Sequence, residues 1–247
     1  MDRLVHTALS AMRSSMARQT ATANNLANVG TTGFRADISV AQALWLRGDT
    51  LESRALSSQE VRAADLTPGA VTETGRDLDI ALSGDAMLTV AASEGGEAYT
   101  RRGDLHLTET GLMTTGDGQT VIGEQGPVSL PPAQSVRIDN DGVVWVVPVG
   151  GDPNIPLRVD RLKLVTPAGS DVVKGTDNLF RVRNNGALPA DPSARLISRS
   201  LEESNVNATE ALVQMIDASR AWETQMKLIT TAKDLDAASS DLMRMPS

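Results

Sequence analysis

The sequence predicts an α+β protein: N- and C-terminal helices paired as a coiled coil, with a mainly antiparallel β domain inserted between them. Two observations predict the helices. Near the start, Val5, Leu9, Met12, Met16, Gln19, Ala23 and Leu26 alternate steps of four and three, and all but Gln19 are apolar. Near the end, Ala208, Leu212, Met215, Ser219, Trp222, Met226 and Ile229 repeat those steps. An apolar position about every 3.5 residues marks a helix that buries a narrow seam against another helix. A third observation predicts the insert. Turn pairs at Gly95-Gly96, Asp117-Gly118, Asp141-Gly142, Ala168-Gly169 and Asn185-Gly186 punctuate the middle of the chain. Two seam-bearing helices need partners, the simplest being each other and copies of the same chain, so the pattern points to an assembly protein rather than an enzyme.

In order along the chain, residues 1–30 form the first coiled-coil helix. Asp2 can cap its start, and Asn28 and Gly30 tolerate the left-handed conformation at its end. Residues 31–67 form an extended connector, opened by the turn at Gly33 and Phe34 and interrupted by a short helix over 37–47 through Ile38, Ala41, Leu44 and Trp45. Gly33 is expected to hold a positive φ. Residues 68–200 form the β-rich domain, with strand-like runs at Leu78–Leu82, Met87–Ala91, Asp104–Thr108, Val136–Asp139, Val143–Val149, Arg161–Val165 and Leu179–Val182. Residues 201–247 return to helix. Asn207 with Glu210 three residues on resembles a capping box. Beyond Ile229 the strict repeat breaks, which rotates the seam or changes its partner.

The 247 residues suffice for a sizeable core. A net charge of −8 argues against a non-specific nucleic-acid binder. The absence of cysteine removes disulfides and thiolate metal sites. No stretch approaches the roughly 20 apolar residues of a membrane span. The first residues lack the unbroken apolar core of a secretory signal, so export would be uncleaved and by another route. Three Trp, two Phe and one Tyr are few for a catalytic pocket or a base-stacking surface.

Catalytic and metal patterns are weak. His6 and His106 have no ligand-spaced companions. Asp139-Asn140-Asp141-Gly142 reads as a β-turn, because the flanking positions Arg137 and Pro148 spoil a calcium loop. Asp77, Asp79 and Asp104 are the acids a hydrolase reading would use, and solvent-facing strand positions are the simpler account of the first two. No cofactor motif is present.

Several segments carry a family resemblance. Ala23-Asn24-Asn25-Leu26-Ala27-Asn28-Val29-Gly30-Thr31-Thr32-Gly33-Phe34-Arg35 resembles the N-terminal signature of bacterial flagellar rod and hook proteins. Leu201-Glu202-Glu203-Ser204-Asn205-Val206, then Met215-Ile216 and Arg220-Ala221-Trp222-Glu223, resembles their C-terminal signature. Asp77-Leu78-Asp79-Ile80-Ala81 and Tyr99-Thr100-Arg101-Arg102-Gly103 extend the likeness through the middle. Gly84-Asp85-Ala86-Met87-Leu88 departs from the distal rod and hook pattern, so the chain looks like a proximal rather than a distal rod subunit. The resemblance implies a non-enzymatic subunit of the periplasmic drive shaft in the flagellar basal body. It would be exported by the flagellar type III apparatus and stack with copies of itself and other rod proteins, without cofactor, nucleic acid or lipid span. The implied assembly residues are Val5, Leu9, Met12, Met16, Ala23, Asn24, Asn25, Leu26, Asn28, Gly33 and Phe34, with Ser204, Asn205, Val206, Leu212, Met215, Trp222, Met226 and Ile229. The rival from another class is a secreted carbohydrate-active or peptidoglycan hydrolase.

Overall fold

Both terminal segments lack Gly and Pro in their interiors and form long helices: α1 spans Asp2–Ala27 and α2 spans Ala208–Met243. Asn207 starts α2 by accepting hydrogen bonds from the backbone N–H groups of Thr209 and Glu210, at 3.0 and 3.2 Å. This satisfies two of the donors that a helix start leaves unpaired. The computed structural model describes residues 2–45, 55–92, 95–183 and 186–243. The chain divides into two units. One comprises Met1–Ala27, Asp37–Ala63 and Asn207–Ser247, and the other Asn28–Ala36 and Ala64–Val206.

In the first unit α1 lies alongside α2 and against the strand Asp37–Trp45. That strand replaces the short helix expected over 37–47. It pairs with Ala55–Ala64, so part of the expected connector is a two-stranded sheet. The apolar positions 38, 41, 44 and 45 do not discriminate strongly between the two periods over so short a run. The tie is broken from outside the segment. The Asn25 side chain accepts from the Asp37 backbone N–H at 2.7 Å and donates to the Asp37 carbonyl at 3.0 Å. A side-chain amide thus takes the place of a strand neighbour and holds the backbone extended. Residues 46–54 of those expectations lie outside the described residues.

The second unit is β-rich and its pairings are antiparallel. A five-stranded sheet runs in the order Leu164–Val165, Met87–Ala91, Glu97–Thr100, Phe180–Val182, Val172–Lys174. A three-stranded sheet joins Ala133–Ile138, Val143–Pro148 and Leu157–Arg161. The first two form a hairpin through the Asp139–Gly142 turn, closed by the Gly142 N–H on the Asp139 carbonyl at 2.8 Å. Leu88 of the first sheet and Val144 of the second meet Ile80, Leu105, Met113 and Leu196 from shorter strands in one apolar cluster. Burying side chains of this size contributes about 1.5–3 kcal/mol each.

Two short pairings tie the start of this unit to its end. Val71–Glu73 pairs with Ser200–Glu202, and Ile80–Leu82 pairs with Leu196–Ser198. The strands Val71–Glu73, Leu196–Ser198 and Ser200–Glu202 are too short and too polar to stand out in the sequence. Their partners lie more than a hundred positions away. They bring the residues that precede α2 beside residues 71–82.

Candidate assembly site

The two helices of the first unit each shelter a narrow stripe of mixed small and large residues. On α1, Ser15, Ala21 and Thr22 are buried, and Met12, Gln19 and Leu26 are half-buried. On α2, Ala211 is buried, and Met215, Ala218, Trp222, Gln225, Ile229 and Ala232 are half-buried, again stepping by four and three. Met12, Leu26, Met215, Trp222 and Ile229 were expected on the seams, and they lie on these sheltered stripes. The other expected seam positions fall one residue to the side. Leu9, Met16, Leu212 and Met226 are 42, 59, 49 and 44 % exposed, and Ala23 is exposed with them. Val213, Ile216, Leu228 and Leu235 add to the uncovered apolar surface of α2. The side chain of Val5 lies outside the described residues.

The signature residues around the chain's turn act on its own backbone. In the first unit, Asn24 donates to the Asp37 carboxylate at 2.6 Å, beside the two-way contact of Asn25. In the second unit, the Thr31 hydroxyl bonds to Asn28 Oδ1 at 3.2 Å. Gly33 takes φ +66°, as expected, and its N–H donates to the Glu202 carbonyl at 2.7 Å. A Cβ there would collide with the Arg101 carbonyl. Asn205 fastens the segment on three sides. Its amide donates to the carbonyls of Asp65 and Thr67, and its Oδ1 accepts from the Ala36 N–H at 2.7 Å. Ser204 Oγ accepts from the Val206 N–H at 3.2 Å.

Beneath this lies an ion cluster that the sequence reading did not single out. Glu202 is buried between Arg35 and Arg101. Its Oε1 accepts from Arg35 Nη2 at 2.6 Å and from the Gly69 N–H at 2.9 Å. Its Oε2 accepts from Arg101 Nε and Nη2 at 2.9 and 2.6 Å. The remaining Arg101 donors reach the carbonyls of Leu82, Gly84 and Ala86. Burial pushes the Arg101 guanidinium down from its ordinary value, and Glu202 opposes that. Lys174 Nζ donates to the Arg35 carbonyl at 2.7 Å and sits 3.8 Å from the Phe34 ring centre, a cation–π geometry. The signal was present in the sequence: Arg35, Arg101 and Glu202 each sit inside a resembling segment. What could not be read was that three segments so far apart meet.

The carboxylates of the hydrolase reading are each engaged. Asp77 pairs with Arg199 at 2.6 Å, Asp104 with Arg102 at 2.6 Å, and buried Asp79 accepts from the Thr74 hydroxyl at 2.7 Å. Among the described residues no group of three or more His, Cys, Asp or Glu is placed to hold a metal ion. No described helix is long and apolar enough to cross a membrane.

Comparison with known proteins agrees with this layout. Residues 6–35 match the family described as flagella basal body rod protein, residues 81–146 the flagellar hook protein FlgE/F/G D1 domain, and residues 197–242 the flagellar basal body rod FlgEFG protein C-terminal family. The chain is 39 % identical to the flagellar basal-body rod protein FlgF of Salmonella typhimurium, over 99 % of this chain and 100 % of the relative. It is 38 % identical to FlgF of Escherichia coli over the same shares, and 30 % identical to FlgG of Bacillus subtilis over 95 and 97 %. With likeness along its whole length and no support for the hydrolase reading, the chain belongs to the flagellar basal-body rod protein family, with its FlgF members, and its role is that of a structural rod subunit.

Proposed function

We propose that α1 and α2 pair as a coiled coil on their sheltered stripes and that the chain stacks helically as a proximal rod subunit. It reaches the periplasm through the flagellar type III apparatus and meets copies of itself and other rod proteins there. Torque passes through packing, not chemistry. The observation that carries this reading is the pair of uncovered apolar faces. Met12, Leu26, Met215, Trp222 and Ile229 lie on the sheltered stripes, while Leu9, Met16, Leu212 and Met226 stay outside. Each such side chain, once covered by a neighbour, contributes about 1.5–3 kcal/mol. A subunit that repeats the contact at every helical step gains that many times over.

The test is Leu212→Asp combined with Met226→Asp. Both sites are about half exposed, so the isolated chain should fold and be exported normally. Covering the new carboxylates in an apolar contact costs several kcal/mol each, so hook-bearing basal bodies and swimming should fall sharply. Normal rods in the double mutant would remove the proposal.

A further inference from the structure

The uncovered face of each long helix carries charge as well as apolar bulk. On α1 the exposed positions Leu9, Arg13, Met16, Thr20 and Ala23 step by four and three and so form one stripe. On α2 the exposed positions Leu212, Ile216, Ser219, Glu223 and Met226 do the same. α1 holds three Arg against one Asp, and α2 six acidic side chains against three basic ones. Yet among the described residues no ion pair joins α1 to α2, and neither Arg13 nor Glu223 has an ion-pair partner. Glu223 does not pair even with Arg220 or Lys227, one turn away on either side. The complementary charge of the two helices is therefore unused within the chain.

We propose that the outer stripe of α1 in one copy of the chain docks antiparallel on the outer stripe of α2 in a second copy, with Arg13 meeting Glu223. That register brings Leu9 to Met226, Met16 to Ser219, Thr20 to Ile216 and Ala23 to Leu212. At the last three places a large side chain meets a smaller one, as interlocking helix surfaces require. Pairing α1 with α1 would instead leave Arg13 facing a stripe without a carboxylate. The two stripes differ, so a pair of copies leaves one of each kind free, and the contact continues from copy to copy. The proposal rests on the rod-subunit reading and adds to it which helix meets which, and through which charges.

The experiment is a charge exchange, scored in cells whose only source of this protein is the introduced full chain. Arg13→Glu and Glu223→Arg fall on exposed positions, so each single variant should fold and be exported as before. Each should lower the number of hook-bearing basal bodies at least about tenfold, because like charges then face each other. Producing the two single variants in one cell should reverse that loss. Alternating copies then rebuild both kinds of opposite-charge pair, which no pair inside one chain could do. A normal number of basal bodies from either single variant alone overturns the pairing. Rescue only when both changes sit in one chain places the pair within a single copy and overturns it too. Rescue in neither arrangement assigns the stripes to another rod protein and overturns the second copy as occupant. Each of these results leaves the rod-subunit reading standing as long as Leu212→Asp with Met226→Asp still blocks assembly.

Discussion

The two units solve the same problem in opposite ways. In the second, Tyr99, Phe180, Ile80 and Leu88 are buried, and among the described residues the apolar clusters lie there. Its ends are locked by short strand pairs, by Asn205 and by the Arg35–Glu202–Arg101 cluster. In the first, the large apolar side chains Met16, Leu212, Ile216 and Leu228 are about half exposed or more, and the sheltered stripe is narrow. A β-rich unit closes its hydrogen bonds and its core within itself. A helix closes its hydrogen bonds alone but has only one face to bury per partner, so a pair of long helices keeps a surface for others. One unit is built for self-sufficiency and the other for company.

The sharpest way to break this comparison is to remove charge from the second unit and bulk from the first. Glu202→Gln leaves Arg35 and Arg101 buried without their counter-charge and should destabilise the chain by about 3–5 kcal/mol. Met226→Ala, on an exposed helix face, should change stability within about 0.5 kcal/mol. Urea unfolding of the two variants decides. Similar losses would mean that the helix face is already covered in the single chain.

Gly33→Ala asks for a smaller effect at the edge of the second unit. Positive φ and the Arg101 carbonyl both oppose a Cβ, so a loss of about 1–3 kcal/mol is expected. An unchanged midpoint would show that the turn relaxes freely. Asn207→Ala removes the α2 cap and should cost about 1 kcal/mol of helix stability, seen as faster amide exchange at Thr209 and Glu210. Protection that stays unchanged would mean that packing alone sets the helix start.

The smallest effect concerns pH. Hydrogen bonds from Ser193 and Thr166 hold the Asp191 carboxyl at about 2, below its ordinary 3.8. A depressed folded value means that the ionised form favours the fold. Its contribution is complete above the ordinary value and is lost as pH falls through about 2. The Ser193 amide resonance should titrate there, and an inflection near the ordinary value would remove the role given to these two hydroxyls.

The periodic helices, the Asp139–Gly142 hairpin, the positive φ of Gly33 and the cap at Asn207 were legible because each is a local matter. Residues a few positions apart suffice to specify a helix face, a tight turn or a cap. The family was legible for a related reason, since its signatures are short contiguous strings at both ends. Local pattern misread the strand Asp37–Trp45, whose extended form depends on Asn25 of another element. On each helix the sheltered stripe runs through some of the expected seam positions, such as Met12, Leu26, Met215, Trp222 and Ile229, and beside others, such as Leu9, Met16, Leu212 and Met226. The ion cluster was hidden altogether, because Arg35 and Arg101 lie 167 and 101 positions from Glu202. Sequence alone determined what each segment can form. Tertiary structure decided which charges meet and which faces remain open, because those depend on distant segments arriving at one place.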